Sequence, residues 1–177
     1  MKQILPTLLI AGILAACSGT PAVPKPEAWP RIEAYPPTYT MVDGFALNDS
    51  AVVSYPAEGQ LSAAYPRYGA TLYLTRTATP TERQQQEVID NRTERMALNT
   101  GGADTEITEL MSTNGYACRL LVTPLRTATP VQFIAVGKKD VVSGSIFLPK
   151  AATAPSDSLA PTIDALTTDI LYALKLL

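Results

Sequence analysis

The chain has no histidine and only two cysteines, Cys17 and Cys118, among its 177 residues. Zinc sites that combine histidine with cysteine are therefore excluded, as are Ser–His and Cys–His nucleophile pairs. Basic charge is also scarce. Fourteen Lys and Arg face sixteen Asp and Glu, for a net charge of −2. No basic patch follows a phosphate backbone, so no nucleic-acid partner is expected. The apolar run from Ile4 to Ala16 is shorter than the roughly 20 residues a helix needs to span a bilayer. No internal repeat is visible. Carboxylate acid–base chemistry and a calcium site stay open, but no spacing supports either. No metal or cofactor is expected.

What is present begins at the N-terminus. Lys2 precedes the apolar run, and Leu14-Ala15-Ala16-Cys17 closes it. A positive start, an apolar middle and a small-residue cleavage site are the layout of an export signal. With a cysteine at the cleavage point, the stretch resembles the lipobox of bacterial lipoproteins. Residues 1–16 then form a lipoprotein signal peptide, and the mature chain starts at Cys17 with acyl chains on its thiol. Each buried methylene contributes about 0.8 kcal/mol, and two or more chains make a lasting tether. The expected location is the cell envelope, anchored by lipid to a membrane and facing the periplasm. Once Cys17 is acylated, Cys118 is the remaining thiol and no internal disulfide can form.

Residues 17–37 carry the lipidated cysteine and a tether rich in proline: Pro21, Pro24, Pro26, Pro30, Pro36 and Pro37. Such composition favours an extended, semi-rigid spacer. Trp29 and Ile32 are expected to dock its far end. Residues 38–177 then suit a single domain.

In that domain, Tyr39 to Thr77 reads as strand. Ala51 to Tyr55, Leu61 to Tyr65 and Gly69 to Thr75 are the segments, with Gly44 and Asn48-Asp49 as turns. Thr79-Pro80-Thr81-Glu82 predicts a helix start with Thr79 as cap, and Gly101-Gly102 a stop. The buried stripe would be Gln85, Val88, Ile89, Arg92, Met96 and Asn99. Arg92 would either snorkel along a sheet or pair with a carboxylate, and a structural ion pair is favoured over a functional arginine. Thr105 to Leu148 reads as four consecutive antiparallel strands, with Asn114-Gly115 as one hairpin turn and Gly137 to Asp140 as the other. Tyr116, Cys118, Leu120 and Val122 share a face, so Cys118 is expected to pack as a small apolar residue. A final helix, capped by Ser156 or Ser158, carries Leu159, Ile163, Leu166, Ile170, Leu174 and Leu177.

The element order predicts an α+β fold: a mostly antiparallel sheet with two packed helices. One helix on each face, as in a Mog1/PsbP-like α/β/α sandwich, is the first arrangement suggested. Both helices on one face is the other.

Several stretches together resemble the GldD family of gliding-motility lipoproteins from Bacteroidetes. They are Pro24-Lys25-Pro26 with Trp29 and Arg31-Ile32, Tyr65-Pro66-Arg67-Tyr68 with Ala70-Thr71-Leu72, and Asp90-Asn91-Arg92 with Ala103-Asp104. Further on are Thr129-Pro130-Val131-Gln132-Phe133, Gly144-Ser145-Ile146-Phe147 and Asp157-Ser158-Leu159-Ala160-Pro161. The sequence departs from the family at Gly44-Phe45-Ala46 and Gln60-Leu61-Ser62, where family members tend to carry cysteines. The resemblance implies an accessory lipoprotein of gliding motility and type IX secretion, without enzymatic activity. It would act by contact with other envelope lipoproteins or with motility and secretion proteins. The contact residues expected from the family-like stretches are Trp29, Arg31, Tyr65, Arg67, Tyr68 and Gln132. The alternative is an envelope small-ligand-binding protein or carboxylate-based hydrolase using Asp90, Glu94 or Asp104. Asp49-Ser50-Ala51 and Asp157-Ser158-Leu159 also resemble a short O-glycosylation motif, although turn and cap chemistry accounts for both.

Overall fold

The computed structural model describes residues 38–124, 127–153 and 156–177. The leader, Cys17, the proline-rich tether, Trp29 and Arg31 lie outside the described residues. The turn signal at Gly44 becomes a hairpin. Strands β1 (Tyr39–Val42) and β2 (Phe45–Asn48) pair antiparallel as a small separate sheet. Asp43 and Gly44 both take positive φ, 50° and 76°, as a two-residue hairpin loop requires.

The main sheet contains β3 (Val52–Ser54), β4 (Gln60–Tyr65), β5 (Ala70–Ala78), β6 (Glu106–Met111), β7 (Ala117–Val122), β8 (Val131–Val136) and β9 (Asp140–Phe147). Its order is β3-β4-β5-β9-β8-β7-β6, and every neighbouring pair is antiparallel. The last four strands are consecutive hairpins, and β9 then closes against β5. The fold is α+β with a mostly antiparallel sheet.

Helix α1 (Glu82–Thr100) starts later than the proline signal suggests. Its cap is Thr81, whose hydroxyl accepts from the Gln84 backbone N–H at 3.3 Å. Thr79 is not free to cap. It is buried, its N–H donates to the Lys139 carbonyl at 2.7 Å, and its hydroxyl accepts from Gln85. The helix ends at Gly101, where a left-handed φ of 59° lets the N–H reach the Leu98 carbonyl.

Helix α2 (Ser156–Leu176) follows a short 3₁₀ turn at Pro149–Ala152. It buries Ile163, Leu166, Ile170 and Leu174 of the expected stripe and Ala173 beside them, while Leu159 is half-buried and Leu177 is buried just past the helix. Burying each large aliphatic side chain contributes about 1.5–3 kcal/mol. The β6–β7 turn holds its C-terminus. Thr113 donates from both N–H and hydroxyl to the Lys175 carbonyl, and Asn114 Nδ2 reaches the Leu177 carbonyl at 2.6 Å. Those contacts satisfy carbonyls a helix end leaves open.

Alternate residues of the same strands separate the two helices. Val131, Phe133 and Ala135 of β8 join the cluster packed with α2 and the β1–β2 hairpin. Ile134 packs instead with Met96 of α1, together with Val141, Val88 and Ile89. Successive side chains of a strand point to opposite faces, so the helices lie on opposite faces of the sheet. The α2 layer is the larger. It includes Phe45, Ala46 and Leu47 of β2, all 3% exposed or less, which the sequence pattern did not single out.

Candidate functional site

The lighter α1 layer leaves a cleft between the helix and the sheet. It has a volume of about 230 Å³ and lies over β5, β9 and β8. Its floor is set by register. Gln132, Ser145 and Tyr73 form one rung across the three strands, and Ile134, Ser143 and Thr75 form the next. Four of these six side chains carry hydroxyls. Its roof is α1, which contributes Arg92, Arg95, Met96 and Asn99.

Two amides anchor the roof to the floor. Asn99 Nδ2 donates to Gln132 Oε1 at 3.0 Å, and Gln132 Nε2 donates to the Met96 carbonyl at 3.4 Å. Gln132 is 1% exposed, so these bonds satisfy a polar group that burial would otherwise penalise. The hydroxyls of Ser143 and Ser145 have no hydrogen-bond partner among the described residues, although Ser143 is only 9% exposed. The sole buried and unpartnered side-chain oxygen among the described residues is that of Thr167 on α2, so the Ser143 hydroxyl is open to the cleft.

Arg92 and Arg95 stand three residues apart and so neighbour each other on the helix surface. Burial, and secondarily the Arg95 charge, lowers the Arg92 pKa from its ordinary value. An arginine in such surroundings stays protonated. The favoured expectation of an ion pair at Arg92 is corrected: no carboxylate pairs with it or with Arg95 among the described residues. The three ion pairs among the described residues involve Arg76, Arg83 and Arg119 instead. Like charges at this spacing cost an isolated helix about 0.2–0.5 kcal/mol. The chain therefore holds two uncompensated cations over a floor of hydroxyls.

The other expected contact residues divide. Tyr65 and Gln132 are 2% and 1% exposed, so their side chains present no surface to a partner. Tyr65 ends β4 inside the α2 layer, and Gln132 braces α1. Arg67 and Tyr68 do reach the surface, in the β4–β5 turn. There the Arg67 guanidinium carbon lies 5.8 Å from the Tyr68 ring centroid, a cation–π distance. Asp90, Glu94 and Asp104 are exposed, and none lines the cleft. Asp90 accepts from Gln86 on its own helix.

Two further groups bear on chemistry. Cys118 is 4% exposed, and burial pushes its thiol up to about 11. A thiol so shifted is protonated and a poor nucleophile at neutral pH. Asp169 of α2 is the buried carboxylate that sequence reading passed over. It accepts from the Tyr39 hydroxyl at 2.7 Å and from Asn48 Nδ2 at 3.4 Å, which ties the β1–β2 hairpin to α2. Burial raises its pKa, and the two hydrogen bonds act against that rise. Tyr39 also packs on Tyr172, with ring centroids 4.3 Å apart and planes tilted by 31°. No cluster of three or more Cys, Asp or Glu suited to a metal occurs among the described residues.

Arg95, Ser143, Ser145 and Tyr73 were not singled out as a group. The Arg92/Arg95 spacing was readable, but the rungs depend on β9 lying between β5 and β8. No family model matches the sequence, and no curated protein matches it.

Proposed function

We propose that the protein is a lipid-anchored, non-enzymatic accessory protein of the cell envelope, serving gliding motility and type IX secretion through protein–protein contact. The lipid on Cys17 fixes it to the membrane, residues 17–37 give reach, and the folded domain meets its partner in the periplasm. The observation that carries the reading is a convergence. Asp90-Asn91-Arg92, Pro130 to Phe133 and Gly144-Ser145 are far apart in sequence, and each belongs to a stretch resembling the GldD family. Arg92, Gln132, Phe133, Gly144 and Ser145 nonetheless line one cleft. The β4–β5 turn, from another family-like stretch, supplies a surface contact through exposed Arg67 and the half-buried Tyr68 beside it.

Deletion of the gene, with complementation by the wild-type chain, tests this. The expected result is loss of type IX cargo export, restored by the wild-type gene and restored poorly by an Arg67→Ala, Tyr68→Ala double variant. Normal export and normal surface motility in the deletion strain would contradict it.

A further inference from the structure

We propose that the cleft between α1 and the sheet binds a phosphate group of a small ligand or of a lipid headgroup. The inference rests on the geometry of the cleft and stands apart from the accessory role above. Arg92 and Arg95 place two positive charges at the roof, and no carboxylate lines the cavity. Arginine's planar fork matches a tetrahedral oxyanion through paired N–H donors, and a dianion balances two guanidinium groups. The opposite wall supplies neutral donors. Ser143, Ser145 and Thr75 sit on neighbouring strands in fixed register and line the cleft, and Ser143 is almost buried. The Ser143 hydroxyl bonds no group among the described residues and is open to the cleft, so it is free to donate to a ligand there. An anion seated between the arginines and these hydroxyls would satisfy all of them together. A single carboxylate would leave one positive charge unbalanced.

The amide braces explain why the site keeps its shape. Asn99 donates to Gln132, and Gln132 donates to the Met96 carbonyl of the helix, so the pair holds α1 at a fixed height over the floor. The floor hydroxyls, fixed by strand register, therefore keep their place beneath the helix before an anion enters.

The test uses the full-length chain in uncharged detergent, with arginine Nε–Hε resonances followed by NMR. Inorganic phosphate is titrated to about 10 mM, above the millimolar range of a weak site, and acetate is titrated in parallel. The expected result is saturable shifts at Arg92 and Arg95 with phosphate and much weaker ones with acetate. Arg95→Gln lies on an exposed position and should keep the fold while lowering phosphate affinity about tenfold, the scale of one charge-assisted contact. Arg83→Gln, on the same helix but paired with Glu87, should leave affinity unchanged. Nanodiscs of phosphatidic acid, whose phosphomonoester can carry two charges, against phosphatidylcholine then separate the sources. Stronger shifts with phosphatidic acid assign a lipid phosphate, and none assigns a soluble one. Absence of saturable shifts with both phosphate and phosphatidic acid, or equal loss of affinity in Arg83→Gln, would overturn the proposal. A gene deletion with normal secretion would leave these shifts unaffected, so the two readings fail separately.

Discussion

At the scale of single residues, Asp169 has the clearest consequence. Burial lifts its folded pKa above the ordinary 3.8. Between that value and the raised one, the folded chain holds more protons than the unfolded chain. Stability attributable to this group is therefore greatest below the window and falls as pH rises through it. Urea midpoints measured from acid to neutral pH should show this fall in the wild type and a flatter profile in Asp169→Asn. Parallel profiles would contradict it. Gly144 is constrained by space. A Cβ there would come within 2.5 Å of the Phe133 ring and 3.0 Å of the Tyr73 carbonyl. Phe133 cannot withdraw easily, since it stacks on Phe45 at 5.4 Å. Gly144→Ala should therefore destabilise by about 1–3 kcal/mol, the cost of overpacking a dense core, read as a lowered urea midpoint. Cys118 was legible as a core residue from its alternation with Leu120. Asp169 was not, because it shares a helix with the leucine stripe and finds its partners in a hairpin 121 residues or more away.

At the scale of elements, the two helices differ in how firmly they are held. Helix α2 buries a full stripe and is tied at its C-terminus by the β6–β7 turn. Within α1, Met96 is the buried residue. Leu166→Ala, at a position 0% exposed, should cost about 2–5 kcal/mol. Leu98→Ala, at a position 73% exposed, should stay within about 0.5 kcal/mol. Native-state hydrogen exchange should accordingly open α1 at a lower free energy than α2. Equal protection of the two helices would show that the lighter packing of α1 has been misjudged. The sequence pattern located both helices and the strands of the main sheet, since period and turn residues are local signals. It misplaced the α1 cap because Thr79 and Thr81 look alike in sequence. The sheet distinguishes them by engaging the Thr79 N–H. The cleft was hidden for a related reason: Gln132, Ser145 and Tyr73 become neighbours only through strand order, a long-range property.

At the scale of the whole molecule, the proposed role joins two parts of the chain, an acylated N-terminus and a domain carrying a cationic cleft. Among the described residues no helix is long and apolar enough to cross a membrane, and the anchor proposed here is Cys17. Replacing Cys17 by Ser should move the protein from the membrane fraction to the soluble fraction without changing the melting temperature of the domain. The most direct test is the intact mass of the native protein recovered from fractionated cells. The account predicts membrane recovery of a chain beginning at Cys17 with the added mass of two or more acyl chains. A soluble, unprocessed chain that still carries residues 1–16 would contradict it.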